Sequence, residues 1–238
     1  QVRLDVAYSE LDVVIVGSEG GVGMGTQGVT HFGWEDVAVM SSLPGMTVFC
    51  PADNVAMISL LERAIEMSGP VYLRMNGGVP DGVYEDREPF ETGSAVVHGR
   101  GSDVNFIVSG PLLSEVLKAR DILEQEGISA GAADMFCIKP VDEKVVTDMA
   151  KESRVIVTVE EHSVVNGLGS VVANILADVL VPLTPVIVHQ LKKGGIYITS
   201  GIIDDKEQTV VEAVKAAGLE VLEVTYQGEW VSVTARKN

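Results

Sequence analysis

Seven glycines stand between Gly17 and Gly33, in GSEGGVGMGTQGVTHFG, and His31 lies among them. An imidazole titrates near neutral pH and moves protons readily, and Gly28 and Gly33 leave room for backbone and ligand to crowd it. A loop histidine is ordinarily a surface residue. This setting gives His31 a second reading, as a group that handles protons or touches substrate. Glycine-rich loops after a strand often approach phosphate or a cofactor closely, but this one lacks the spacing and following helix of a dinucleotide fingerprint. Arg74 stands near the end of the apolar stretch VYLRM, and its planar donor fork suits phosphate or carboxylate; by itself it reads first as a surface ion pair. In TVEEHS, Glu160 and His162 share one face of a strand, but two ligands are too few for a metal site. Cys50 and Cys137 sit in apolar surroundings, TVFCP and MFCIKP, and read as buried reduced thiols rather than a bridge or redox pair.

The elements that must position these residues alternate. DVVIVG, MTVFC and VYLRM are apolar runs of the buried-strand type. Between them, helical patterns occupy 34–42 and a stretch from Asp53, a plausible N-cap, to about Met67. Residues 76–91, rich in Gly, Pro and acids, read as a linker. A second series follows: strand DVNFIVSG, helix 112–126 ended by Gly127, strand ISAGAADMF, helix 142–152, strand RVIVTVEE. Strands alternating with helices imply parallel sheets. Beyond them come helical patterns at 167–180 and 186–193, a strand IYITSGII, and a helix capped by Asp204 or Asp205 that runs to Ala217. Two β-patterned runs around Gln227-Gly228 then form a hairpin.

The 238 residues are 46% hydrophobic, 21% charged and 5% aromatic, with a formal charge of −17. That composition is globular and of layered α/β type. The acidity argues against nucleic acid or an anionic membrane as partner, since both reward basic clusters. No apolar run is long enough to span a bilayer and no secretion signal opens the chain, so a cytoplasmic location is expected. Up to Val171 there are 11 basic and 26 acidic residues, net −15; from Val172 there are 6 and 8, net −2. The shift suggests two origins. Since Gln1 is not Met, the chain is expected to begin inside a longer one.

GMGTQGVTHFGWEDVAVMSSLPGMTVFCPAD (Gly23 to Asp53) resembles a segment of transketolases and 1-deoxyxylulose-5-phosphate synthases, and is similar to β subunits of 2-oxoacid dehydrogenases. The likeness continues through GPVYLRM and KPVDEKVV to VEEHSVVNGLGS. It implies an α/β fold: a truncated thiamine-diphosphate pyrimidine-type domain over 1–78, a linker over 79–92, and a smaller three-layer α/β domain from 93 to 171. That second domain has a mostly parallel sheet, and the chain closes in a terminal β-hairpin. The implied activity is transfer of a two-carbon ketol unit between sugars or sugar phosphates through a carbanion stabilised by the thiamine ring. His31 matches the histidine that contacts substrate oxygens, and Arg74 the arginine that grips a substrate phosphate. Gln27 stands where the family has an acid, and Ala56 replaces the acid of the P-A-D-x-x-E pattern. The cofactor-activating glutamate is expected upstream of Gln1. Thiamine diphosphate with Mg is therefore expected to be held largely by a diphosphate-binding partner subunit, an upstream domain or a homodimer partner, and the chain alone is expected to be inactive.

From about Val172 the motifs change. ANILAD, L-K-x-G-G-x-x-x-x-S-G-I-I and the closing G-E-W-V resemble the end of the bacterial ribosomal-protein lysine methyltransferase, an S-adenosylmethionine enzyme. Asn174 matches the asparagine at that fold's fourth-strand end, near the transferred methyl, although by itself it reads as a helix residue. The cofactor loop and ribose-binding acid of that fold are missing. The tail, 172–238, is expected to complete or extend the second domain, so that the chain is a chimera. Two further readings stay open: a methyltransferase remnant, and a non-catalytic module for subunit interaction.

Overall fold

The computed structural model describes residues 1–23, 25–76, 82–85, 90–176, 184, 188–189, 191–203, 207–227 and 230–238. They gather into two compact units, Gln1–Val172 and Ala173–Asn238. The first opens on a π-helical segment, Val2–Ala7. Then come β1 (Val14–Gly20), α1 (Asp36–Ser41), β2 (Thr47–Phe49), α2 (Asn54–Glu66) and β3 (Val71–Asn76). Its second series is β4 (Val96–Val97), β5 (Val104–Val108), α3 (Leu113–Gln125), β6 (Ala130–Asp134), β7 (Cys137–Lys139), α4 (Glu143–Glu152) and β8 (Val155–Val159). Helix α5 (Leu168–Ile175) follows.

The strands of the first unit form two four-stranded sheets, ordered β1-β3-β2-β7 and β4-β6-β5-β8. The pairs β1–β3, β2–β3, β5–β6 and β5–β8 are parallel, while β7 and β4 run antiparallel at the edges. This is the α/β class with mostly parallel sheets that the alternation implies. Two helices start where carboxylates satisfy orphan N–H groups. Asp53 Oδ1 accepts from the Ala56 N–H at 2.9 Å, and Asp142 Oδ1 from the Val145 N–H at 2.9 Å.

Three differences from the sequence expectation have physical reasons. The first strand continues through the glycines to Gly20, because Gly17 pairs with Arg74 and Gly20 with Asn76 on β3. The run ISAGAADMF is not one strand. β6 stops at Asp134, and β7 joins the other sheet after Met135 and Phe136. The Met135 N–H donates to the Val108 carbonyl and Phe136 accepts from the Cys50 N–H, each at 2.7 Å. The chain thus stitches the two sheets together within two residues. Finally, Tyr84 and Phe90, from the stretch expected to be a linker, are buried in the same core as Phe49, Leu73 and Phe136. The Phe90 ring stacks edge-on against both Tyr84 and Phe136, an arrangement aromatic pairs prefer.

The second unit contains β9 (Ile196–Ile203), α6 (Glu207–Ala216), β10 (Leu219–Gln227) and β11 (Trp230–Lys237). The strands form an antiparallel sheet of their own, ordered β10-β11-β9. Beyond these ladders, the Gly194 N–H donates to the Lys237 carbonyl at 2.7 Å and the Lys237 N–H to the Gly195 carbonyl at 3.0 Å. Val210 and Val214 of α6 pack in one core with Tyr197, Val233 and Ala235. The far end of the helix expected over 167–180, the caps Asp204 and Asp205, and Gly228 of the hairpin turn lie outside the described residues. Of the pattern at 186–193, only Val188 and His189 are described as helical.

Candidate active site

The glycine loop leaves β1 at its C-terminal end and closes on itself. The Gly21 N–H donates to the Gly33 carbonyl at 2.8 Å, and Gly33 bridges both Gly20 and Gly21. Between these points two short 3-10 turns, Gly25–Gln27 and Val29–His31, carry the two polar candidates. Gln27 and His31 are both exposed, and the Thr30 hydroxyl sits 2.9 Å from His31 Nδ1. Gly25 and Gly28 adopt positive φ with open space where a Cβ would stand, so backbone conformation alone selects glycine there.

The glycines at the base are selected by crowding. A Cβ on Gly17 would stand 2.1 Å from the Tyr72 hydroxyl, one on Gly20 2.7 Å from Arg74 Nε, and one on Gly21 2.2 Å from Glu161 Cδ. Three large side chains thus press on the loop's root. They form one network. Asp36 Oδ2 accepts from the Tyr72 hydroxyl at 2.7 Å and from Arg74 Nε at 2.9 Å. Arg74 Nη2 donates to the Gly33 carbonyl at 2.8 Å and the Glu161 carbonyl at 2.9 Å. The Tyr72 phenol is pushed above its ordinary value by burial and by Asp36.

Arg74 is therefore placed at the foot of the loop, 3% exposed, with Nε and Nη2 committed to protein acceptors. Among the described residues no acceptor is bonded to Nη1. The structure joins Arg74 to His31 and Gln27 through the loop backbone. Sequence reasoning missed Asp36, Tyr72, Asn76 and Glu161 as parts of this site; the spacing of Gly17, Gly20 and Gly21 was the one signal that something bulky lies against them. A cavity of about 170 Å³ opens beside the network, lined by Glu19, Asp53, Asn54, Met57, Met75 and Asn76. It lies at the C-terminal ends of parallel strands and the start of α2, where open α/β sheets bind ligands.

The segment TVEEHS is a packing device. Glu160 accepts from the Leu168 and Gly169 N–H groups at the start of α5, at 2.7 and 2.8 Å. His162, 4% exposed, accepts at Nε2 from the Ala38 N–H of α1, 3.3 Å away. Its Nδ1 lies 2.7 Å from the Ser163 carbonyl. Cys50 and Cys137 are buried free thiols, and burial pushes them up to about 12 and about 11. Lys139 donates to the Ser41 and Leu43 carbonyls at 2.8 and 2.6 Å, capping the end of α1; desolvation draws its ammonium below the ordinary lysine value.

Two mostly parallel four-stranded sheets place the first unit in the α/β class, and its structural neighbours are transketolase chains. Comparison with known proteins gives the same class. The chain belongs to the transketolase family, and over residues 119–238 it also belongs to the ribosomal protein L11 methyltransferase family. The transketolase pyrimidine-binding-domain model matches residues 1–78, and the L11 methyltransferase model matches 119–238. An apulose-4-phosphate transketolase subunit of Phocaeicola vulgatus is 37% identical over 184 residues, 77% of this chain and 59% of that protein. The 6-deoxy-6-sulfo-D-fructose transketolase subunit SqwH of a Clostridium species is 34% identical over 218 residues, 91% of this chain and 67% of the relative. A solved structure described as a split-gene transketolase, inactive β4 tetramer, superposes with a TM-score of 0.69 at 36% identity, covering 74% of this chain and 57% of that one. The chain spans between half and two thirds of the length of these relatives. The two likenesses overlap: the methyltransferase match begins inside α3, well before Val172.

Among the described residues neither implied cofactor finds a full set of holders. Among the described residues no group of three His, Cys, Asp or Glu side chains could hold a metal ion, and Arg74 is largely committed, so magnesium and a diphosphate have no cradle there. For S-adenosylmethionine, Asn174 is exposed on helix α5 rather than at a strand end. In Ala173–Asn238 the described strands are antiparallel, and none of them opens through a glycine-rich turn into a helix. Among the described residues no helix is long and apolar enough to cross a membrane.

Proposed function

We propose that this chain forms the substrate side of a transketolase-like enzyme that transfers a two-carbon ketol unit between sugars or sugar phosphates. The observation that carries the proposal is the closed glycine loop at the ends of β1 and β3, which exposes Gln27 and His31 while its root is locked by Arg74. Exposed and held from below, His31 is set to hydrogen-bond substrate hydroxyl or carbonyl oxygens and to move a proton at its ring nitrogen. Gln27 offers an amide, neutral where an acid would be charged, to a neighbouring hydroxyl. Arg74 contributes chiefly by fixing the loop, with Nη1 as its remaining donor pair for a phosphate.

Thiamine diphosphate and Mg are held by a partner, a diphosphate-binding subunit from the same source. When bound, that group stabilises the carbanion of the transferred unit. Relatives that are themselves called subunits support this division of labour. The methyltransferase-like end takes no part in the chemistry, consistent with the placement of Asn174. The test is reconstitution: the chain, the diphosphate-binding subunit, thiamine diphosphate and Mg are combined with a ketose-phosphate donor and an aldose acceptor. Ketol transfer that requires both proteins supports the proposal. Equal transfer without this chain, or none with it, refutes it.

A further inference from the structure

The geometry points to Glu161 as the residue that positions the substrate-side loop. Its carboxylate lies between two donors from different elements. Oε1 accepts from the Val22 N–H at 2.7 Å, the first residue past the Gly21 closure, and Oε2 accepts from Asn76 Nδ2 at 2.8 Å. Its carbonyl takes Arg74 Nη2 at 2.9 Å. One residue from the second α/β layer thereby grips the loop, the end of β3 and the loop-locking arginine.

The residues around Glu161 hold it in place. Glu160 anchors the start of α5, His162 holds the Ala38 N–H of α1, and the Ser163 N–H donates to the Trp34 carbonyl at 3.0 Å. Glu161, His162 and Ser163 thus rivet the loop and its following helix to the second sheet, while Glu160 ties the same segment to α5. Gly21 is the counterpart: with φ +78 and Glu161 Cδ 2.2 Å from where its Cβ would stand, any side chain there would push the carboxylate away.

A chemical detail makes the role separable from charge. Asn76 Oδ1 is buried and makes no hydrogen bond among the described residues. With glutamine at 161, the carbonyl keeps the Val22 N–H, and rotation of the Asn76 amide presents that idle oxygen to the new amide N–H. Two hydrogen bonds survive. Aspartate keeps the charge but is one methylene too short to reach both donors.

This inference rests on the transketolase-like reading for its kinetic consequence, but not for its structural one. The experiment is amide hydrogen exchange of the full chain over residues 19–34, together with kcat and KM for the sugar acceptor in the reconstituted assembly. E161A is expected to speed exchange of the loop amides at least tenfold and to raise KM about tenfold or more. E161Q is expected to stay within threefold of wild type in both. If E161A does not fold, E161Q and E161D decide: glutamine must hold the loop and aspartate must loosen it. Unchanged loop exchange in E161A, or an E161D that behaves better than E161Q, overturns the inference. An assembly that is inactive with the wild-type chain refutes the proposed function alone, and the exchange result still decides the role of Glu161.

Discussion

Two arginine–carboxylate pairs, one in each unit, are almost the same length and do different work. Arg74 and Asp36 meet at 2.9 Å with side chains 3% and 17% exposed. Arg236 and Glu220, facing each other across β11 and β10, meet at 2.8 Å with side chains 46% and 47% exposed. Distance does not separate them; what surrounds them does. The inner pair is tied to the Tyr72 hydroxyl and to the Gly33 and Glu161 carbonyls, so losing the arginine leaves acceptors stranded away from water. The outer pair is open to solvent and salt, and either partner can return to water at little cost. In the first unit a buried polar network beside a large apolar core shapes the candidate site, whereas the second unit packs around a smaller apolar core and leaves its ion pair at the surface.

That contrast can be broken in steps. Arg74→Met keeps volume but leaves the Asp36 carboxylate with the Tyr72 hydroxyl in place of an arginine; the expected loss is about 3–5 kcal/mol, read from urea unfolding of the full chain. A loss under about 1 kcal/mol would put the inner pair in the class of the outer one.

A second buried polar group gives a pH signature. Burial raises the Asp134 carboxyl from 3.8 to about 8, against the pull of the Tyr84 hydroxyl that donates to it at 2.8 Å, with the charge of Asp53 adding to the rise. The folded chain keeps this proton after the unfolded chain has released it. The contribution is therefore fully present below the unfolded value near 3.8 and is lost as pH rises through about 8. A single proton gives a slope of at most about 1.4 kcal/mol per pH unit. Asp134→Asn should remove that slope between about pH 5 and 8, as followed by thermal unfolding; identical pH profiles for the two proteins would contradict it. The smallest effect belongs to the outer pair: Arg236→Ala should cost about 0.2–1 kcal/mol, and the cost should vanish in about 1 M salt.

Much of the scaffold is legible from residue order. The strands are continuous apolar runs, and Asp53 and Asp142 cap the helices their positions imply. The switch between β6 and β7 is not legible, because MFCI is equally apolar whichever sheet receives it; only the Val108 and Cys50 backbone partners decide. His31 and Gln27 lie on an exposed loop, as the density of glycines around them implies. Arg74 is found at the same place with a different burden, since nothing local shows that Asp36, Gly33 and Glu161 converge on its guanidinium. Glu161 acts on a residue 139 positions away, a pairing that no local pattern encodes. The glycines are the trace it leaves: Gly21 is small because Glu161 is there.

The most direct measurement is the steady-state rate of ketol transfer by the assembly reconstituted with H31A, with loop exchange measured on the same protein to show that the loop is intact. Loss of about tenfold to a thousandfold in kcat/KM with unchanged loop protection is the expected result. A rate equal to wild type would contradict the placement of this chain on the substrate side.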